Sequence, residues 1–211
     1  RYHENDYEVE TRLAGRFKIY NTLGAIGAAL NEGISMDDAI EAVKDFQSVP
    51  GRFELIDEGQ SFAVVVDYAH TPDGLEKILG TAREITEGKI IAVFGCGGDR
   101  DRMKRPIMGS IAAEHADISI VTSDNPRTED PEKIIEDVVV GVEKVKKNKP
   151  DLYYEVIADR RQAIKRAVSL AKDDDIVIIA GKGHEDYQIL KDRTIHFDDR
   201  EEARNALKEV K

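Results

Sequence analysis

From residue 50 onward the sequence alternates short β-branched runs with segments of helical period, and most runs end in a loop rich in glycine, asparagine or aspartate. Each helical segment is long enough for the crossover that joins two parallel strands, so the expected fold is α/β, a mostly parallel sheet with helices on both faces. Strands are expected over residues 53–57, 62–66, 90–94, 118–122, 153–157 and 176–180, with an edge strand over 194–197. Helices are expected over 72–86, 105–114, 131–144, 160–171 and 200–210. Pro72, Pro106 and Pro131 stand at or near helix starts, where a missing N–H costs nothing. Residues 144–150 hold four lysines and are expected to form a solvated loop.

Residues 1–48 differ in character, with a strand expected over 7–13 and helices over 21–31 and 35–46. They read as the end of another domain. The turn Ser48-Val49-Pro50-Gly51 is its natural boundary, which leaves residues 49–211 as the main domain.

Charge narrows the ligands. A net charge of -11 over 211 residues leaves no basic face for nucleic-acid phosphates, so anions must be held by individual arginines and lysines. No apolar run approaches a membrane span and residues 1–6 lack a signal-like apolar core, so the cytoplasm is the expected compartment. The single cysteine, Cys96, excludes an internal disulfide, and a small buried thiol is its expected role.

In an open parallel sheet, ligands gather at the carboxyl ends of the strands, which directs attention to four loops. Gly95-Cys96-Gly97-Gly98-Asp99-Arg100 can bring backbone N–H groups near an anion, but Arg100 stands where a dinucleotide site needs its third glycine. Ser123-Asp124-Asn125-Pro126-Arg127 is a turn stiffened by Pro126, from which Arg127 is expected to project as a fork for a carboxylate. Asp124 or Thr128 is a candidate cap for the helix that follows. Gly181-Lys182-Gly183-His184-Glu185-Asp186 ends in carboxylates that attract an ammonium, with His184 an orienting partner or a catalyst. Together, Arg100 and Arg127 on two loops and acidic groups on a third describe a pocket for a small zwitterion, an amino acid. In the fourth loop, Asp67 can accept from a ribose hydroxyl and His70 can meet a phosphate; equally, Thr71 can cap a helix while Tyr68 and His70 line the core.

At these residues the chain resembles the C-terminal part of the Mur ligases, ATP-dependent amide-forming enzymes that build the peptidoglycan stem peptide. The resemblance runs through residues 13–21, Pro50-Gly51-Arg52, residues 67–73 and 95–105, Asp124-Asn125-Pro126-Arg127, and residues 181–188. It implies a Rossmann-like C-terminal domain preceded by a small remnant of a central ATPase domain. Asp-Asn-Pro-Arg resembles the signature of members that accept meso-diaminopimelate. The resemblance places Arg100, Asp124, Asn125, Pro126, Arg127, Gly181 and Glu185 in the amino-acid pocket, and Asn21, Arg52, Asp67 and His70 at ATP. Lys18 departs from the asparagine common in the family and inherits no role.

The resemblance also implies what is absent: the UDP-sugar domain, the phosphate loop and the magnesium ligands. ATP and Mg2+ are thus expected to be held mostly outside this chain, which is expected to be inactive alone and to contribute no nucleophile. Expected partners are ATP, meso-diaminopimelate, UDP-MurNAc-dipeptide and the missing domains of the same polypeptide. The alternatives are a folylpolyglutamate or cyanophycin-type ligase domain, or a stand-alone amino-acid or nucleotide sensor.

Overall fold

The structure, a computed structural model, describes residues 2–11, 13, 15–46 and 48–210, without the side chains of Arg16 and Phe17. The chain divides into two compact units, Arg1–Val49 and Pro50–Lys211.

The first unit is built on two helices, α1 (Arg16–Asn31) and α2 (Met36–Asp45). Ser35 caps α2 by accepting from the Asp38 N–H at 3.1 Å, and Asp37 and Asp38 complement the positive end of its dipole. Helix α1 starts at Arg16, before the expected Asn21, because its start is set by Gly15 at φ 98° with no side-chain cap. Such a start leaves no signal in the sequence. The strand expected over residues 7–13 is a correction: the described residues among them form no ladder, and Arg12 lies outside the described residues.

The second unit carries a six-stranded sheet in the order β1-β2-β6-β3-β4-β5. Its strands are β1 (Glu54–Leu55), β2 (Ala63–Asp67), β3 (Ile90–Phe94), β4 (Ile118–Val121), β5 (Tyr153–Val156) and β6 (Ile176–Ala180). Every neighbour pair is parallel except β1 with β2. Strands β3, β4 and β6 are buried at every position, which is why they read as unbroken apolar runs rather than alternating ones. Strand β1 is shorter than expected because Phe53 takes a left-handed conformation, φ 49°.

Helices cover both faces of this sheet. On one face Leu75 and Leu79 of α3 (Pro72–Ile85), Met108 of α4 (Lys104–His115) and Val138 of α5 (Pro131–Lys146) pack with Val65, Ala92, Phe94 and Ile178. On the other, Ile164 of α6 (Arg160–Leu170) and Leu207 of α7 (Asp199–Glu209) pack with Val66, Val93, Ile120 and Ile179. Burial of this apolar surface, at about 25 cal/mol per Å², is the main force that holds the layers together. Thr71 and Asp159 cap α3 and α6, each accepting from a first-turn N–H, so both chain entries at the strand ends are fixed.

Two expectations need correcting. The segment over 194–197 is not an edge of the main sheet: β8 (Thr194–His196) pairs antiparallel only with β7 (Tyr187–Ile189), a strand not anticipated, in a separate ribbon. The lysine-rich segment is partly helical, since α5 runs through Lys146 and places Lys144 and Lys146 at its negatively polarised end. No helix among the described residues is long and apolar enough to cross a membrane.

Candidate functional site

The loops after β2, β3, β4 and β6 lie at the carboxyl ends of parallel strands in adjacent positions of the sheet. The loop after β4 is the most constrained. Thr122, Ser123, Asp124 and Asn125 are all buried, and Arg127 sits at φ 53°, a left-handed conformation that a side chain rarely adopts without support.

That support comes from two sides. The Gln188 side chain of β7 donates to the Asp124 carbonyl at 2.6 Å, the Ile189 N–H donates to Asn125 Oδ1 at 2.9 Å, and the Arg127 N–H donates to the Ile189 carbonyl at 3.1 Å. The unanticipated strand is therefore the clamp that shapes the loop. From the other side, the Gly98 N–H donates to the Asn125 carbonyl at 2.9 Å, and Arg127 Nη1 donates to the Gly98 carbonyl at 2.9 Å.

The glycine-rich loop packs directly against the loop after β4. A Cβ on Gly98 would lie 1.9 Å from the Pro126 carbonyl oxygen, and one on Gly95 would lie 2.3 Å from that of Thr122. These glycines let two loops approach one another. The Gly98 and Asp99 N–H groups are committed inward, to Asn125 and to Glu129, and so are not offered to an anion.

Arg127 is tethered through Nη1 alone; among the described residues Nη2 and Nε have no hydrogen-bond partner. Its guanidinium rests on the loop surface rather than projecting from a tip. Arg100 is exposed and donates to the carbonyl of Asp99, and both arginines flank Gly97, with Arg127 Nη1 and Arg100 Cγ at 2.8 and 3.8 Å from where its Cβ would be. The helix cap is another correction: Asp130 accepts from the Glu132 N–H and caps α5, while Thr128 donates to Asp99 at 2.7 Å and Asp124 faces Lys182.

In the loop after β6, Gly181 at φ 127° and Gly183 at φ 53° turn the chain so that Lys182 points inward, wholly buried. The Asp124 carboxylate occupies the space beside Gly181, with Oδ2 2.9 Å from where a Cβ would stand. The Asn125 Nδ2 donates to Glu185 Oε2 at 2.9 Å, and Lys182 Nζ lies 3.3 Å from the same oxygen. Glu185 Oε1 has no hydrogen-bond partner among the described residues. Sequence reasoning passed over Lys182, yet the loop's acidic pole is already half-neutralised by it.

Tyr187 ties the two poles together. Its phenol pKa is raised above its ordinary value chiefly by the Glu185 carboxylate, while the Arg127 guanidinium acts in the opposite sense, so both charges stand in the neighbourhood of one ring. His184 is exposed, its ring centre 5.0 Å from that of Tyr68, and among the described residues it makes no side-chain hydrogen bond. Cys96 is buried beside Met108, and burial pushes its thiol up to about 12.

Of the residues expected at ATP, three lie in the second unit. Asp67 ends β2 and accepts from the Phe53 and Ala69 N–H groups at 2.7 and 2.8 Å, one on each oxygen. The Arg52 guanidinium lies 4.7 Å from the centre of the Tyr68 ring. His70 is exposed rather than part of the core, with Nδ1 2.8 Å from the Tyr68 carbonyl, and Thr71 caps α3. Asn21 belongs to the first unit, where it lines a cavity of about 430 Å³ between α1 and α2 with Lys18 and Thr22. A groove of about 1120 Å³ beside α4 and α5 is lined by none of the expected site residues.

The family model described as "Mur ligase, glutamate ligase domain" matches residues 51–183. The chain belongs to the Mur ligase family. A Clostridium botulinum relative of the Mur ligase domain, named UDP-N-acetylmuramoyl-L-alanyl-D-glutamate--2,6-diaminopimelate ligase, is 53% identical over 204 residues, 96% of this chain and 41% of the relative. A solved structure described by the same enzyme name superposes with a TM-score of 0.74 at 41% identity, covering 99% of this chain and 42% of that one. Escherichia coli FolC in complex with ADP aligns over 83% of this chain and 38% of its own, at 21% identity with a TM-score of 0.61, and shares the fold alone. This Mur ligase chain spans about two fifths of the length of the curated relatives it matches.

Proposed function

We propose that this chain is the amino-acid-accepting end of an ATP-dependent ligase that joins meso-diaminopimelate to UDP-N-acetylmuramoyl-L-alanyl-D-glutamate in peptidoglycan synthesis. The observation that carries the proposal is the pairing of a guanidinium with open donors, Arg127, and a carboxylate with an open oxygen, Glu185, on loops joined through Asn125. The names of relatives 53% identical to the chain support it.

In the ligation, the γ-carboxylate of the D-glutamyl substrate takes the γ-phosphoryl group of ATP as ADP leaves, and the diaminopimelate amine then attacks the acyl-phosphate carbonyl, losing a proton as phosphate leaves and the amide forms. Arg127, with Arg100, receives the carboxylate at the far end of diaminopimelate, which lysine lacks. Glu185 and Asp124 receive the ammonium of that end, while Asn125, Pro126 and Gly181 hold the loops in register. No residue of this chain acts as a nucleophile. Its contribution is to hold the attacking amine in line, a proximity effect worth up to about 7 to 11 kcal/mol.

Asp67 is assigned to the ribose, Arg52 and His70, beside Tyr68, suit a polyphosphate, and Asn21 is assigned to the adenine. Magnesium, like most of the ATP, is assigned to the remainder of the parent protein on the family resemblance. In this reading residues 1–48 are the tail of the central ATP-binding domain, residues 49–211 are the amino-acid domain, and the nucleotide-linked substrates place the enzyme in the cytoplasm.

The test is turnover by the full-length enzyme with ATP, the UDP-linked dipeptide and a panel of amino acids. Turnover with meso-diaminopimelate in strong preference to lysine and glutamate is expected; preference for glutamate would instead favour the folylpolyglutamate-type reading.

A further inference from the structure

Lys182 is the one lysine among the described residues whose side chain is fully buried in the second unit, and its surroundings are polar. Its Nζ lies 3.1 Å from Asn125 Oδ1, 3.3 Å from Glu185 Oε2, 3.7 Å from Asp124 Oδ1 and 5.6 Å from the centre of the Tyr187 ring. Burial of an ammonium is costly unless it is paired and hydrogen-bonded, and here two hydrogen bonds and two neighbouring carboxylates meet it. The glycines on either side fix the inward direction, because their left-handed φ values, 127° and 53°, are strained for any residue with a Cβ.

The same contacts organise the pocket. Asn125 Oδ1 is shared between Lys182 and the Ile189 N–H, which fixes the amide so that its Nδ2 can only donate, and it donates to Glu185. Lys182 and Asn125 both hold Oε2 of Glu185 and thereby leave Oε1 for a ligand. Lys182 and Arg127 offset Asp124 and Glu185, and Arg160 beside Gly181 is offset by Asp199, so apart from the exposed, solvent-screened Arg100 the cluster has a formal charge of zero. A centre that carries one ammonium and one carboxylate matches that balance. A bare ammonium, the far end of lysine, matches a cluster with one cation fewer.

Resting on the amino-acid-pocket reading above, we infer that Lys182 is a positioning residue that orients Asn125 and Glu185 and sets the pocket's charge so that a zwitterionic centre is preferred over a bare ammonium. It touches no reacting atom. Its effect on the substrate passes through Asn125, Glu185 and the electrostatic balance.

The experiment compares Lys182→Met and Lys182→Gln with wild type in the full-length ligase, measuring kcat and KM for meso-diaminopimelate and for L-lysine, and the thermal transition of each protein. Glutamine retains a donor to Asn125 but not the charge. Both variants are expected to raise KM for diaminopimelate more than they lower kcat, and to reduce the preference over lysine about tenfold or more. Folded variants that slow both amino acids in equal proportion, or leave the preference unchanged, would overturn the inference; loss of the folded state in both would assign Lys182 to structure alone and overturn it equally. Arg127→Ala, run in parallel, separates the two levels. No change of preference in Arg127→Ala sinks the pocket reading, whereas a change there and none at Lys182 sinks only the present inference.

Discussion

The guanidinium of Arg105, on α4, grips both oxygens of the Glu129 carboxylate at 2.8 and 3.1 Å, and so ties the helix after β3 to the loop after β4. Glu129 also accepts from the Asp99 N–H at 2.6 Å and from Arg102 at 2.7 Å. These donors, Arg105 foremost, hold its carboxyl down to about 2 from an ordinary 4.5. A carboxylate with a depressed native pKa stabilises the fold above its unfolded pKa, and that contribution is lost as pH falls. Unfolding followed from pH 6 to pH 2 is therefore expected to show stability falling between about 4.5 and 2, and Glu129→Gln is expected to be less stable at neutral pH with a flatter slope in that window.

A second ion pair is wholly buried. Arg160 Nε and Nη2 meet the two oxygens of Asp199 at 2.8 and 2.6 Å, with neither side chain exposed. Asp199→Ala strands the guanidinium and should cost about 3 to 5 kcal/mol in urea unfolding. The double variant Arg160→Met, Asp199→Leu removes both charges and is expected to recover most of that loss.

Gly98→Ala tests the contact between the two loops. Its methyl would fall 1.9 Å from the Pro126 carbonyl oxygen, so one loop must move. A cost of about 1 to 3 kcal/mol in the melting transition is expected, as for other overpacked sites. Because Arg127 leans on the Gly98 carbonyl, KM for diaminopimelate in the full-length enzyme should rise while KM for ATP stays near wild type.

Cys96 should be chemically silent. It is 2% exposed and its thiol pKa is raised to about 12, so at neutral pH almost no thiolate is present. Native protein mixed with iodoacetamide is expected to remain unmodified, and protein in denaturant to take up one label. Rapid labelling of the native state would contradict the buried placement.

The sheet and its helices were legible because β3, β4 and β6 are buried on both faces and because proline or capping residues mark the starts of α3 and α5. Strand β7 was not: Tyr187, Gln188 and Ile189 carry no pattern of their own and become a strand only by pairing with β8. Lys182 was hidden for a related reason. A lysine between two glycines reads as a solvated loop residue, and only the convergence of Asp124, Asn125 and Glu185 from two strand ends makes it an internal charge. The glycines at 95, 97 and 98 carried a true signal for a close approach, and the structure shows the loop after β4 as the partner.

Arg127 is proposed to recognise the carboxylate that distinguishes diaminopimelate from lysine. The most direct measurement is kcat/KM for both amino acids with the full-length enzyme and its Arg127→Ala variant. Loss of a charge-assisted hydrogen bond of about 1.5 to 3 kcal/mol predicts a fall of roughly 10- to 150-fold for diaminopimelate, mostly in KM, with little change for lysine. An Arg127→Ala enzyme that keeps its wild-type preference for diaminopimelate over lysine would contradict the account.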